Sequence, residues 1–249
     1  MTASEKKSGD TLYIVIPAYN EQDNIEDVVK DWHPIVEKYG SDKSKLVIIN
    51  DGSKDNTYKI LKKLEKDYPR LEAIDKKNSG HGGTVLFGYK YALDHGADYI
   101  FQTDSDGQTL PSEFDDFWKL RENYDCIIGH RSERKDGLSR IFVTRTLRRV
   151  IKMCFGVWVI DANTPYRLMK AEGLRENIKY IPDNFNLSNV ILQVIYAKRK
   201  TQRVKYMKIT FRPRQGGVNS INFKKIIKIG KQALKDFKEI NRNLKSLED

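Results

Sequence analysis

Cysteine is nearly absent from this chain, and neither proline nor glycine is enriched. The two cysteines, Cys126 and Cys154, both sit in apolar stretches and lack metal-type spacing. A disulfide scaffold is therefore excluded, and they read as reduced core residues of a cytosolic protein. Without Gly or Pro enrichment, global disorder is not expected, although 32% of the residues are charged. No apolar run approaches the roughly 20 residues that a membrane-spanning helix needs. The first ten residues are polar, so no secretory signal is expected. Internal repeats and low-complexity tracts are missing too. What remains is a 249-residue chain, enough for one large domain or two small ones with a substantial core.

Positive charge is present in excess but unevenly placed. The net charge is +11, yet the stretch from Lys198 to Asp249 holds sixteen Lys and Arg against four Asp and Glu, a net of +12. The rest of the chain is close to neutral, so the excess marks a local surface for an anionic partner.

Hydrophobic periodicity predicts strands and helices in turn. Leu12–Pro17 is a continuous apolar strand. Ile25, Val28, Val29, Trp32, Ile35 and Val36 form a helical stripe that Pro34 is expected to kink or break. Leu46–Asn50, Leu71–Ile74, Tyr99–Gln102 and Asp125–Gly129 read as further strands, with helices carrying Ile60, Leu61 and Leu64, then Val85, Leu86 and Tyr89, then Phe114, Phe117 and Trp118 between them. This alternation implies right-handed crossovers and a mostly parallel sheet with helices on both faces. The second half is less regular. Ser139–Phe155 is a basic, partly amphipathic helix, Leu187–Ile195 another, and Val204–Phe211 a strand. Beyond the glycine-rich loop at 212–217, Phe223, Ile226, Ile227, Gly230, Leu234, Phe237 and Ile240 make one stripe among lysines, a basic amphipathic helix. It suits an anionic membrane surface or, about equally, packing on the domain with its lysines in solvent.

Four polar loops follow the first four strands, where ligands sit in such folds. After the fourth, Asp104, Asp106 and Gln108 recur at every second residue, with Gly107 to turn the chain. Carboxylates gathered at a strand end are hard oxygen ligands suited to Mg²⁺ or Mn²⁺ carrying phosphates. Taken alone, the same residues make an ordinary turn bonded to its own backbone. Asp51-Gly52-Ser53 could equally be a helix start. The Gly80–Gly83 loop fails the dinucleotide fingerprint, because Val85 holds the third glycine position. His81 and His130 are single loop histidines without metal spacing. Arg131, Arg140 and Arg145 cluster after the fifth strand, which tilts them from solvated charges toward an anion site.

Taken together the loops resemble family-2 glycosyltransferases of the GT-A fold: Ile16-Pro17-Ala18-Tyr19-Asn20-Glu21, then residues 50–57 (Asn-Asp-Gly-Ser-Lys-Asp-Asn-Thr), Asn78-x-Gly80-x-Gly82, and Thr103-Asp104-Ser105-Asp106-Gly107-Gln108. The resemblance spans roughly residues 11–220, after a polar tail at 1–10 and before the basic helix at 221–249. Within the family the chain looks like the dolichol- and polyprenyl-phosphate sugar synthases. The carriers are Asp104, Asp106, Gln108 and Pro111, then Gly129-His130-Arg131, Arg140-x-x-x-Thr144, Asp161 and Pro165-Tyr166-Arg167. The chain departs from the pattern at His81, where Lys is usual, at Thr84, where Ala is usual, and at Asn163-Thr164-Pro165-Tyr166.

The resemblance implies a GT-A fold and an inverting transfer of sugar from a UDP- or GDP-linked donor to polyprenyl phosphate, dependent on Mg²⁺ or Mn²⁺. Pro17, Ala18, Tyr19, Glu21, Asp51, Asn78, Gly82, Asp104, Ser105 and Arg214 would bind the nucleotide sugar. Asp104, Asp106 and Gln108 would hold the metal, and Arg131, Arg140 and Thr144 the acceptor phosphate. A saccharide hydroxyl, as in cell-surface polysaccharide synthesis, is the alternative acceptor and would need a base, for which Asp161 is the candidate. The implied location is cytoplasmic, at the inner membrane face. A non-catalytic nucleotide-binding module is the remaining alternative. Nucleic-acid binding would explain the charge but not the acidic loop, which repels phosphate unless a metal intervenes, so no nucleic-acid partner is expected.

Overall fold

The computed structural model describes residues 9–131, 138–161, 163–183, 185–213, 236–237 and 240–244, with 138–145 as helix backbone alone. Seven strands and seven α-helices are described. The first half alternates strictly: β1 (Leu12–Ala18), α1 (Ile25–Tyr39), β2 (Lys45–Asn50), α2 (Thr57–Leu64), β3 (Leu71–Asp75), α3 (Gly80–Asp94) and β4 (Tyr99–Gln102). A short 3-10 turn at Pro111–Glu113 then leads into α4 (Phe114–Lys119). The second half runs β5 (Cys126–Arg131), α5 (Leu138–Phe155), β6 (Arg167–Lys170), α6 (Ala171–Ile178), α7 (Ser188–Lys198) and β7 (Val204–Ile209).

The strands form one sheet in the order β3-β2-β1-β4-β6-β5-β7. All neighbours are parallel except β6, which runs antiparallel to both β4 and β5. This is the mostly parallel α/β architecture expected. β1 is buried along its whole length, as a central strand covered on both faces must be. Its side chains alternate between two cores. Tyr13 and Val15 join α3, α6 and α7 on one face, while Leu12, Ile14 and Ile16 join α1, α2 and α4 on the other. An aromatic cluster anchors the second face, with Phe101 against Trp32, Phe114 and Tyr166 at centroid distances of 5.2, 4.9 and 4.7 Å.

Several expectations need correcting. α1 passes through Pro34 to Tyr39. The ring removes one backbone donor, but buried Trp32, Val36 and Tyr39 on either side hold the helix to the sheet. α3 begins at Gly80, so Gly80–Gly83 and His81 form its first turn rather than a loop. β5 runs on to Arg131, which puts His130 on a strand. β6 and α6 were not anticipated. Among the described parts of the basic C-terminal segment, Phe237, Ile240 and Leu244 are buried, with Phe237 against Phe155 and Phe185 at 5.1 and 6.1 Å. There the apolar stripe packs on the domain. The rest of residues 221–249 lies outside the described residues.

Candidate active site at the carboxyl ends of the central strands

The strand order reverses between β1 and β4: β2 and β3 extend from one side of β1, and β4 lies on the other. Such a switch point opens a crevice beyond the carboxyl ends of the strands. The loop that follows β4 lies on its rim. Thr103 donates its N–H to the Val15 carbonyl at 3.3 Å, and the Ser105 hydroxyl donates to the Pro17 carbonyl at 2.8 Å. Thr103 and Ser105 are buried while Asp104 and Asp106 are half-buried. The two carboxylates thus stand out from a loop fastened to the end of β1. Gly107, with φ of 68°, turns the chain in a conformation that L side chains resist. The Gln108 N–H then donates to Asp106 Oδ1 at 3.1 Å.

Asp104 is supported from beneath by a chain of hydrogen bonds. Gln102 Nε2 donates to Asp104 Oδ1 at 3.2 Å, and Asn189 Nδ2 on α7 donates to Gln102 Oε1 at 3.0 Å. The Tyr89 hydroxyl on α3 donates to Asn189 Oδ1 at 3.0 Å, and Arg167 Nη1 donates to the Asn189 carbonyl at 2.7 Å. Gln102, Tyr89 and Arg167 are fully buried. None of Gln102, Asn189 and Tyr89 was identified as a site residue from sequence. The available signal was a polar residue inside an otherwise apolar run, at Gln102 in β4 and Asn189 in α7.

His81 reaches Asp104 from the other side, Nε2 to Oδ1 at 3.0 Å. Desolvation lowers the imidazole's affinity for a proton, but Asp104, with Asp106 behind it, more than offsets this, so His81 titrates above the ordinary histidine range. The acidic loop is also tied to the strand end after β7. Gln108 Nε2 donates to the Arg212 carbonyl at 3.1 Å, and Arg212 donates its N–H back to the Gln108 carbonyl at 2.9 Å. Arg214, two residues on, lies outside the described residues.

The loops after β1, β2 and β3 form one strapped wall. Asp51 accepts Lys76 Nζ at 2.7 Å and the N–H groups of Ser79 and Gly80 at 2.8 and 3.0 Å. Its own N–H donates to the Ala18 carbonyl at 2.9 Å. Asn78 Nδ2 donates to the Asp51 carbonyl at 2.7 Å. Asp51 therefore holds the entry to α3, with both carboxylate oxygens engaged inside the protein. Glu21 is buried and accepts Asn24 Nδ2 at 2.7 Å, while its N–H donates to the Thr57 hydroxyl at 2.8 Å. Tyr19 beside it is half-buried. At Gly82 a Cβ would stand 2.3 Å from the Phe185 carbonyl oxygen, so close packing of α3 on the chain before α7 requires glycine there.

Across the sheet, Arg131 at the end of β5 meets Asp161, with Nε to Oδ2 at 3.0 Å and Nη2 to Oδ1 at 3.2 Å. This paired fork geometry fixes the guanidinium plane, and its flat face lies 4.9 Å from the Phe211 ring. The two residues read separately from sequence, one for phosphate and one as a base, are thus a single unit. The side chains of Arg140 and Thr144 on α5 lie outside the described residues.

Two half-buried carboxylates and the side-chain amide oxygen of Gln108 make a hard donor set, which fits a divalent cation that also takes diphosphate oxygens. Among the described residues no three His, Cys, Asp or Glu side chains gather to hold a metal on their own.

Residues 13–187 match the Glycosyl transferase family 2 model. The chain is 29% identical over 187 residues to the UDP-N-acetylglucosamine--dolichyl-phosphate N-acetylglucosaminyltransferase of Methanococcus voltae, covering 66% of this chain and 71% of that protein. It is 25% identical over 209 residues to the undecaprenyl-phosphate 4-deoxy-4-formamido-L-arabinose transferase of Shewanella sediminis, covering 79% of this chain and 62% of that protein. Among solved structures, glucosyl-3-phosphoglycerate synthase from Mycobacterium tuberculosis, in complex with Mn²⁺, UDP and glucosyl-3-phosphoglycerate, superposes with a TM-score of 0.66. At 15% identity over 93% of this chain and 80% of that one, the likeness is one of fold. With the match spanning most of the chain and the four loops gathered at the switch point, the protein belongs to glycosyl transferase family 2 and is a glycosyltransferase of the GT-A fold.

Proposed function

We propose that the enzyme transfers a sugar from a nucleoside-diphosphate sugar to a polyprenyl phosphate in one inverting, metal-assisted step. The observation that carries this reading is the pair of anchored carboxylates, Asp104 and Asp106, at the switch-point crevice, on the same end of the sheet as the Arg131–Asp161 pair. Relatives named for dolichyl- and undecaprenyl-phosphate acceptors support the acceptor class.

In this reading the loops after β1, β2 and β3 bind the nucleoside. Pro17, Ala18, Tyr19, Glu21, Asp51, Asn78 and Gly82 form that wall, and Ser105 closes it against β1. Asp104, Asp106 and Gln108 would hold Mg²⁺ or Mn²⁺, and the chemistry it would supply is neutralisation of the diphosphate charge. Gln102 and His81 fix the Asp104 carboxylate, so little reorganisation is needed during the reaction. Arg131, oriented by Asp161, binds the acceptor phosphate and offsets its repulsion from the donor diphosphate. By the resemblance, Arg140 and Thr144 would serve the acceptor phosphate and Arg214 the donor diphosphate.

The acceptor oxygen attacks the anomeric carbon from the face opposite the diphosphate, and the bond to the leaving oxygen breaks as the new one forms. A phosphate acceptor is already anionic and needs no general base. A saccharide hydroxyl would need one, and both Asp161 oxygens are engaged by Arg131. That pairing favours the phosphate acceptor. Replacing Asp106 with Ala is expected to abolish metal-dependent transfer while leaving the fold intact. Unchanged turnover in that variant would reject the assignment.

A further inference from the structure

Among the described residues, the large apolar side chains that face solvent are Met153, Trp158 and Ile160, with 80%, 55% and 40% of their surface exposed. All three fall within one eight-residue stretch. Scattered exposed hydrophobics are ordinary, but a gathered set marks an interaction surface. The local geometry holds them outward. α5 ends at Phe155, and the Gly156 N–H bonds the Lys152 carbonyl at 3.0 Å. Gly156, at φ of 75°, turns the chain, and Lys152 Nζ donates to its carbonyl at 2.9 Å. Residues 157–160 then return along the helix end. Arg148 Nε donates to the Val159 carbonyl at 3.0 Å, and its guanidinium lies 4.8 Å from the Trp158 ring centre. Val159 points inward and is fully buried, so its neighbours Trp158 and Ile160 are turned out.

α5 carries Arg140, Arg145, Arg148, Arg149 and Lys152 and no Asp or Glu. Arg149 and Lys152 are exposed, and Arg149, Lys152 and Met153 share a helix face at three- and four-residue spacing. A tryptophan, a methionine and an isoleucine framed by arginine and lysine fit the interface of a bilayer with anionic headgroups. The segment ends on Asp161, which holds Arg131. Phe237, Ile240 and Leu244 of the C-terminal segment are turned into the core, so these positions do not supply an apolar docking face.

We infer that Met153, Trp158 and Ile160, with Arg149 and Lys152, form the surface through which this enzyme docks on an anionic lipid bilayer. The docking would set Arg131 at the level of the lipid headgroups. The inference rests on the proposed polyprenyl-phosphate acceptor for its purpose, but the docking is read without turnover.

Trp158 is itself the probe, because the other two tryptophans, Trp32 and Trp118, are buried. The full chain is mixed with vesicles of phosphatidylcholine and phosphatidylglycerol whose acyl chains carry bromine. The expected result is a blue shift and quenching of Trp158 emission, absent with pure phosphatidylcholine. Trp158→Phe should show no quenching while still sedimenting with the vesicles. Met153→Ser combined with Trp158→Ser should weaken sedimentation on the order of tenfold, and Arg149→Gln or Lys152→Gln about fivefold each. All of these variants should keep wild-type turnover on a short-chain, water-soluble polyprenyl phosphate. Failure to bind vesicles overturns the inference, since the patch then serves a protein partner or none. Binding without quenching also overturns it, because another face is then docked. If quenching occurs but no polyprenyl phosphate is turned over, the acceptor assignment fails and the docking surface stands.

Discussion

Replacing Gln102 with Leu tests whether the acidic loop is held in place from within the core. The Gln102 side chain is fully buried and bridges Asn189 Nδ2 at 3.0 Å to Asp104 Oδ1 at 3.2 Å. Leucine has a similar size and restores neither contact. Asn189 keeps its bond from the Tyr89 hydroxyl, but its amide donor loses its carbonyl partner in a buried place, a loss of about 1–3 kcal/mol. Asp104 is half exposed to water, so it recovers much of what it loses. The expected destabilisation is therefore about 2 kcal/mol, or roughly 4–8 °C in Tm for a domain of this size. Freed from Gln102, Asp104 should sample other rotamers. The metal concentration for half-maximal rate should rise while the KM for the lipid acceptor stays put. Thermal unfolding and initial rates across a metal titration read both effects. Ile151→Val, a buried methyl loss elsewhere in the core worth about 0.5–1.5 kcal/mol, provides a control without effect on the metal titration. A Gln102→Leu protein with wild-type Tm and wild-type metal dependence would refute the reasoning.

Other outcomes follow from the same geometry. Gly82→Ala should cost about 2–3 kcal/mol in urea unfolding, because its Cβ would meet the Phe185 carbonyl oxygen at 2.3 Å and the Asn186 backbone at 2.4 Å, neither of which is a flexible side-chain tip. Asp161→Asn should raise the KM for the lipid acceptor about tenfold with the donor KM unchanged, since the neutral amide no longer fixes the Arg131 fork. Chelation with EDTA should stop transfer, and adding back Mg²⁺ or Mn²⁺ should restore it. Burial pushes the Cys126 thiol up to about 12, so at neutral pH it carries almost no thiolate. Iodoacetamide should therefore label the half-buried Cys154 first and reach Cys126 only on unfolding. The same shift contributes stability that is intact below the ordinary thiol value near 9 and is lost as pH rises toward about 12.

The central parallel strands were legible because a strand covered on both faces must be apolar throughout, as Leu12–Pro17 and Tyr99–Phe101 are. β6 was not, because its first residue is Arg167, fully buried and bonded to the Thr164 and Asn189 carbonyls. A charged residue in a four-residue strand leaves little apolar pattern to read. α1 does not break at Pro34, because packing on both sides outweighs one missing backbone bond. The motif loops were legible by type, yet their partners were not. That Asp51 spends its carboxylate on Lys76 and the α3 entry, and that Asp161 is bound to Arg131, depends on which loops the sheet order brings together. The inner chain Gln102–Asn189–Tyr89 links positions 87 and 100 residues apart, a distance over which local spacing carries no signal.

The most direct test of the central claim is nucleoside-diphosphate release by the purified enzyme. It would be given Mg²⁺ or Mn²⁺ and a panel of UDP- and GDP-sugars, with and without polyprenyl phosphate. The account predicts release from one donor that depends on both the metal and the lipid phosphate, with the sugar recovered on the lipid in inverted anomeric configuration. Release that proceeds equally well with a saccharide acceptor, or without divalent cation, would contradict it.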